Sequence, residues 1–177
     1  EILKASSHQA ELLIEDFLDV GSVDSYQTLP VNKNRINILE ELEHQIKIYK
    51  ISFRRDIVLS SAKKEIIAEL DVNLVRRAFN NLLNNALKHG HPSKSISVEC
   101  DQNKDYLHIS IHNEGNEMPK GIMDSIFNRY YKTNESTKGW GIGLAFVKKV
   151  AEAHGGKVFV ESNKDGTTFR LEIPINF

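Results

Sequence analysis

The stretch Arg76-Arg77-Ala78-Phe79-Asn80-Asn81-Leu82-Leu83-Asn84-Asn85-Ala86-Leu87-Lys88-His89-Gly90 decides how the rest of the chain is read. At 100° per residue, Ala78, Phe79, Leu82, Leu83 and Ala86 fall on one side of a helix, while Arg77, Asn81, Asn84, Asn85 and Lys88 gather on the other. Asp71 is a suitable N-cap, and His89-Gly90 followed by Pro92 closes the helix. Asn is a mediocre helix former because its side chain competes for backbone hydrogen bonds, yet Asn80, Asn81, Asn84 and Asn85 all lie here. Propensity did not select them. Asn81, Asn85 and Lys88 stand at i, i+4 and i+7, within about 40° of one line, and display two amides and an ammonium along roughly 10 Å of helix. Amide oxygens suit a hard cation such as Mg²⁺, and an ammonium suits phosphate. A solvated polar face is the alternative reading of this helix taken alone.

Three other stretches carry chemistry. Gly139-Trp140-Gly141-Ile142-Gly143-Leu144 opens a helix that runs through His154 and ends at Gly155-Gly156. Glycines let backbone N–H groups approach an anion, and the helix start adds unpaired N–H groups and the positive end of its dipole. A dinucleotide fingerprint fails here, because Leu144 takes the place of its last glycine and a polar loop precedes it, and no Gly-Lys-Ser/Thr P-loop occurs. Asn113-Glu114-Gly115 follows a strand ending at Ile111, with Met118 and Ile122 beyond it. A polar group at a strand end can hydrogen-bond a purine edge while apolar neighbours pack on the ring. Asp165-Gly166-Thr167-Thr168-Phe169 is the last stretch. Taken singly, each of these three also reads as a plain turn.

Around these stretches the pattern predicts a helix over Leu39–Tyr49, short strands over Ile51–Leu59 and Glu65–Leu70, and a strand pair through Ile96/Val98/Cys100 and Leu107/Ile109/Ile111 with Asp101–Asp105 as its turn. It also predicts a short helix over Pro119–Phe127 and closing strands at Val158–Glu161 and Thr168–Ile175. Lys132–Lys138 has no apolar residue to bury and reads as a surface loop. Leu3, Ser6, Ala10, Leu13, Phe17 and Val20 make one helical stripe that needs a partner, and Gly21–Asn34 has linker chemistry. The expected fold is α+β, a mixed, largely antiparallel sheet with helices on one face, in three parts: 1–21, a linker over 22–34, and 35–177.

Composition narrows the function. The 177 residues include 23 basic and 24 acidic side chains, a formal net charge of −1, so no basic field exists to hold nucleic acid. Hydrophobic residues make up 40%, enough for a core. One cysteine, Cys100, excludes a disulfide framework and fits a reducing, cytoplasmic setting. No apolar run approaches the about 18 residues of a membrane span, and the Glu1-Ile2-Leu3 start reads as part of something longer.

The order and spacing of these stretches resemble the boxes of the sensor histidine kinase ATP-binding domain, the Bergerat-type fold, over residues 35–177. Asn81 to His89 is similar to the family's N box, Asn113-Glu114-Gly115 to its first glycine box, and Ile126-Phe127-Asn128-Arg129-Tyr130-Tyr131 to its F box. Gly139 to Leu144 is similar to its second glycine box, and Gly166-Thr167-Thr168-Phe169 to its last. Residues 1–20 then resemble the second helix of the dimerisation hairpin. The resemblance implies ATP and Mg²⁺ as ligands, with Asn85 on the metal and Asn81, Lys88 and His89 on the phosphate side. It implies Asn113 on the adenine amino group, Gly115, Met118, Ile122 and Thr167 around the base, and Gly139, Gly141, Ile142, Gly143 and Leu144 at the triphosphate. Arg129 and Lys132 are the candidates to meet the γ-phosphate, and Lys132–Lys138 would form the nucleotide lid. The implied partners are a response regulator receiver domain and a second copy through the hairpin, with no nucleic acid and no membrane contact from this piece.

One position separates kinase from hydrolase. Fold relatives that hydrolyse ATP carry Glu one turn before the Mg²⁺-binding Asn, as a general base; here Asn81 stands there and cannot take a proton. A neutral imidazole acceptor needs no such base. Two departures favour the alternative of a non-catalytic nucleotide-sensing or partner-docking domain: Asn113 replaces the usual Asp, and Glu117 replaces a Gly. None of the seven histidines lies in a phosphoacceptor motif, so the chain alone is expected to bind ATP without phosphorylating itself.

Overall fold

Asp71 starts the helix that the first-quoted stretch required. Its Oδ1 accepts the backbone N–H groups of Asn73 and Leu74, both at 3.1 Å, at the head of α2 (Val72–His89). Val75, Ala78, Phe79, Leu82, Leu83 and Ala86 turn inward from α2 and are buried. The computed structural model describes residues 28–131 and 141–175, with Ile14 and Gly21. The rest of the expected helix over 1–21, the linker residues 22–27, the loop 132–138 and Gly139 lie outside the described residues.

The elements follow in the order β1 (Asn34–Asn37), α1 (Ile38–Phe53), β2 (Ile57–Ser60), β3 (Ile67–Leu70), α2, β4 (Ile96–Gln102), β5 (Tyr106–Asn113), α3 (Lys120–Met123), α4 (Gly143–Ala153), β6 (Lys157–Asn163) and β7 (Gly166–Pro174). Five strands form one mixed sheet in the order β2-β4-β5-β7-β6, with β2 parallel to β4 and the other pairs antiparallel. A separate antiparallel pair joins β1 to β3. Strand alternation assigns the faces. Ile96, Val98, Cys100, Leu107, Ile109, Ile111, Phe169, Leu171 and Ile173 are buried toward α1, α2 and α4. The other face carries His108, Ser110, His112, Thr168, Arg170 and Glu172, with His108 Nδ1 3.3 Å from Glu172 Oε1 and His112 Nδ1 2.9 Å from Thr168 Oγ1. Burial, with the Asp101 charge second, pushes the Cys100 thiol up to about 12, which leaves it unreactive.

Three expectations are corrected. The strand expected from Ile51 begins only at Ile57, because α1 runs on to Phe53: the Tyr49 and Phe53 rings stack at 5.3 Å, and Arg54 ends the helix with φ 51°. Tyr49 also donates to Asn84 Oδ1 at 3.2 Å, so Asn84 fastens α1 to α2. Asn34, the last residue of the expected linker, belongs to β1, and the Asn32 amide donates to Asp71 Oδ2 at 2.9 Å. The short helix expected over Pro119–Phe127 is confined to α3, and turns continue from it.

At the other end of α4, buried His154 donates from Nδ1 to the Val150 carbonyl at 2.8 Å and accepts the Asp71 N–H on Nε2 at 3.1 Å. That bond joins the tail of α4 to the head of α2 and lays the two helices side by side.

Candidate functional site

The packing of α2 on α4 brings the two stretches read as phosphate-binding into contact. Asn81 Nδ2 donates to the Arg77 carbonyl at 3.1 Å, and its Oδ1 lies against Gly143, where a Cβ would overlap it. Only glycine leaves room for that amide. Buried Ile142 precedes α4 and its carbonyl accepts the Phe146 N–H at 2.8 Å, so the helix starts one residue after the glycine turn. No side chain caps α4 and its first turn holds no acid, which leaves its N–H groups and dipole end suited to an anion. Gly141 adopts φ +70°, and a Cβ there would stand 2.8 Å from the Tyr131 carbonyl. Gly141 is therefore seated on the backbone of Tyr130 and Tyr131. Behind it, the Arg77 guanidinium lies 4.5 Å from the centre of the Phe146 ring.

Along α2, Asn85 is half-buried and Lys88 and His89 are exposed. Partial loss of hydration, then the Lys88 charge, holds the His89 imidazole below its usual range. Arg129 is exposed, and Leu144 is half-buried in the first turn of α4.

A second cluster lies at the C-terminal end of β5. Asn113 is 3% exposed and pairs with Ile96 on one side and Thr167 on the other. Glycines surround it. A Cβ at Gly90 would stand 3.0 Å from Asn113 Cβ, one at Gly115 would stand 2.8 Å from the His89 carbonyl, and one at Gly166 would overlap the Asn113 carbonyl. Thr167 Oγ1 is 2.8 Å from Ser162 Oγ, which accepts the Met118 N–H at 2.9 Å. Ile122 and Met118 pack, half-buried, against the core, and Phe127 meets Phe169 edge-on at 6.2 Å. Glu114 is turned away, its carboxylate 3.2 Å from Lys94 Nζ.

Of the residues singled out in the sequence, the structure thus brings together Asn81 with Gly143, and Asn113 with Gly115, Thr167 and, through Ser162, Met118. Lys132 and Gly139 lie outside the described residues. Ser162 and Gly90 were not singled out. Ser162 lies past the end of the expected β6, and Gly90 reads in sequence as a helix stop, so neither carried a local signal for its place beside Asn113. The donor set fits a purine nucleoside triphosphate: an amide and hydroxyls at a strand end for the base, and an uncapped helix start for the phosphates.

The sequence profile of the histidine kinase-, DNA gyrase B- and HSP90-like ATPase family matches residues 70–176, more than half of the chain. The chain belongs to this family, whose domain binds ATP. The sensor histidine kinase CusS of Escherichia coli O157:H7 is 30% identical over 167 residues, covering 92% of this chain and 34% of CusS. The chain spans about a third of the length of that curated relative. Among solved structures, the catalytic domain of the histidine kinase ThkA superposes with a TM-score of 0.75 at 22% identity, covering 81% of this chain and 96% of that one. ThkA in complex with the response regulator protein TrrA gives a TM-score of 0.76 at 20% identity, covering 99% of this chain and 50% of that one. At these identities the two superpositions establish the fold, a mixed sheet with helices on one face.

Proposed function

We propose that this chain is the ATP-binding catalytic part of a sensor histidine kinase, which passes the γ-phosphoryl of ATP to a histidine outside this chain for relay to a response regulator. The observation that carries the reading is the contact of Asn81 with Gly143. The residue beside the start of α4, one turn before Asn85, is an amide held by the Arg77 carbonyl, and an amide cannot deprotonate water. A nucleophile that arrives as neutral imidazole needs only to be positioned. The base would sit against Asn113 and Thr167, with Met118 and Ile122 on its face, and the triphosphate at Gly141, Ile142, Gly143 and Leu144. Lys88, Arg129 and Lys132 would offset charge on the phosphates. Mg²⁺ would be held through the Asn85 amide oxygen and would supply further charge neutralisation.

The TrrA complex of ThkA supports a receiver domain as partner. Residues 1–21 would be the second helix of a dimerisation hairpin and 22–34 the connection to the catalytic domain, with β1 its first docked strand. Among the described residues no helix is long and apolar enough to cross a membrane. Calorimetric titration of ATP, with and without Mg²⁺, on this chain and on Asn85→Ala tests the site. The reading expects Mg²⁺-dependent binding that the substitution abolishes. No binding to the unaltered chain would favour a partner-docking domain instead, the reading that the neutral Asn113 supports.

A further inference from the structure

We infer that the base subsite accepts 6-oxopurine nucleoside triphosphates about as well as 6-aminopurine ones, because every polar side chain that faces the base there can both donate and accept. The inference rests on the nucleotide-binding reading above and deepens it. Asn113 is 97% buried, and among the described residues none hydrogen-bonds its amide. Its amide atoms keep a path to solvent, so their donor and acceptor are open to a ligand that enters the subsite.

The surroundings do not fix which way that amide faces. Gly90 and Gly115 pack closely on its flank, the positions their missing Cβ atoms would take lying 3.4 and 3.5 Å from Asn113 Nδ2, and as glycines they bring no side chain to pin the amide. Rotation by 180° about χ2 exchanges Oδ1 and Nδ2 at little steric cost. With Oδ1 toward the ligand, the amide accepts from a 6-amino group; with Nδ2 toward it, the amide donates to a 6-oxo group while Oδ1 accepts from the ring N1–H. Thr167 is equally adaptable. Its hydroxyl lies 2.8 Å from Ser162 Oγ, whose own proton has two destinations, Thr167 Oγ1 or the Gly166 carbonyl at 3.3 Å. When Ser162 donates to Gly166, Thr167 donates to Ser162 and offers the ligand an acceptor. When Ser162 donates to Thr167, the Thr167 proton is released toward the ligand. The nearest carboxylate in sequence, Glu114, is exposed and held by Lys94. No carboxylate side chain among the described residues assigned to the base therefore stands to repel a 6-oxo group, and a site without one has less means to reject it.

The test is competition calorimetry of ATP and inosine triphosphate, both with Mg²⁺, on this chain and on Asn113→Asp. Inosine triphosphate carries the 6-oxo group without an added 2-amino group, so it probes the 6-position alone. The two nucleotides should bind the unaltered chain within about tenfold of each other, since a neutral hydrogen bond is exchanged for another of similar strength. A gap beyond tenfold on the unaltered chain overturns the inference while leaving the nucleotide reading standing. Binding of neither nucleotide overturns both. Asn113→Asp, with an acceptor-only carboxylate, should widen the gap in favour of ATP, and an unchanged gap there overturns the inference, because Asn113 would then not face the 6-position.

Discussion

Gly143→Ala should separate binding from stability. The added Cβ would overlap Asn81 Oδ1 and stand 3.2 Å from Asn81 Cγ, so the Asn81 side chain must swing aside. The swing breaks the 3.1 Å bond from its Nδ2 to the Arg77 carbonyl, a loss of about 1 kcal/mol. Against that, alanine is favoured over glycine within a helix by up to about 1 kcal/mol. The two terms offset, and the denaturant midpoint should move little. Binding has no such compensation. The displaced amide no longer faces the head of α4, and one hydrogen bond to a charged phosphate is worth about 1.5–3 kcal/mol, or roughly 10- to 100-fold in Kd. Calorimetry with Mg-ATP beside urea melts reads both quantities on one preparation. If the Gly143→Ala chain bound within about threefold of the parent, the reasoning would be refuted, because Asn81 and Gly143 would then not share a phosphate site.

Three further outcomes follow from the same structure. Asn85→Ala should abolish the Mg²⁺-dependent binding of ATP while leaving the fold intact, which calorimetry with and without the metal and a circular dichroism melt would show. Gly166→Ala should destabilise the chain by about 3 kcal/mol or more, since Gly166 has φ +135° and its Cβ would overlap backbone at Asn113, whereas Gly121→Ala, with open space around it, should be near neutral in the same urea melts. His154 has its pKa lowered, chiefly by burial, so the unfolded chain binds the proton more readily than the folded one. Its contribution is complete above the unfolded value near 6.5 and is lost as pH falls from there through the lower folded value. His154→Gln, which cannot titrate, should flatten the loss of stability between about pH 7.5 and 5, and an unchanged slope would count against it.

The sequence made parts of this architecture legible for physical reasons. The helix α2 was readable because Asp71 caps it locally and its apolar residues keep a 3.6 period. The β4–β5 pairing was readable because Asn103 makes a local turn, its Oδ1 accepting the N–H groups of Asp105 and Tyr106. Pairings between distant segments left no local trace. Nothing in Asn34–Asn37 announces β3 as its partner, and the parallel register of β2 with β4 depends on the intervening chain. Ile51 and Phe53 have strand-like side chains, but the Tyr49–Phe53 stack keeps them helical. At the site, residue type was legible and neighbourhood was not: the polar row on α2 could be listed, yet its contact with Gly143 depends on the packing of α4 on α2, to which the His154–Asp71 bond and the Arg77–Phe146 contact contribute. Ser162 illustrates the same limit, since a serine on an edge strand looks ordinary until Met118 and Thr167 meet it.

The most direct test of the central claim is phosphoryl transfer. This chain would be mixed with γ-labelled Mg-ATP and the acceptor hairpin of its parent protein, supplied separately. The account predicts label on the hairpin that acid releases and alkali does not, dependent on Asn85 and absent from the chain alone. ATP bound with no label on the hairpin, or steady ATP hydrolysis with no acceptor present, would contradict it.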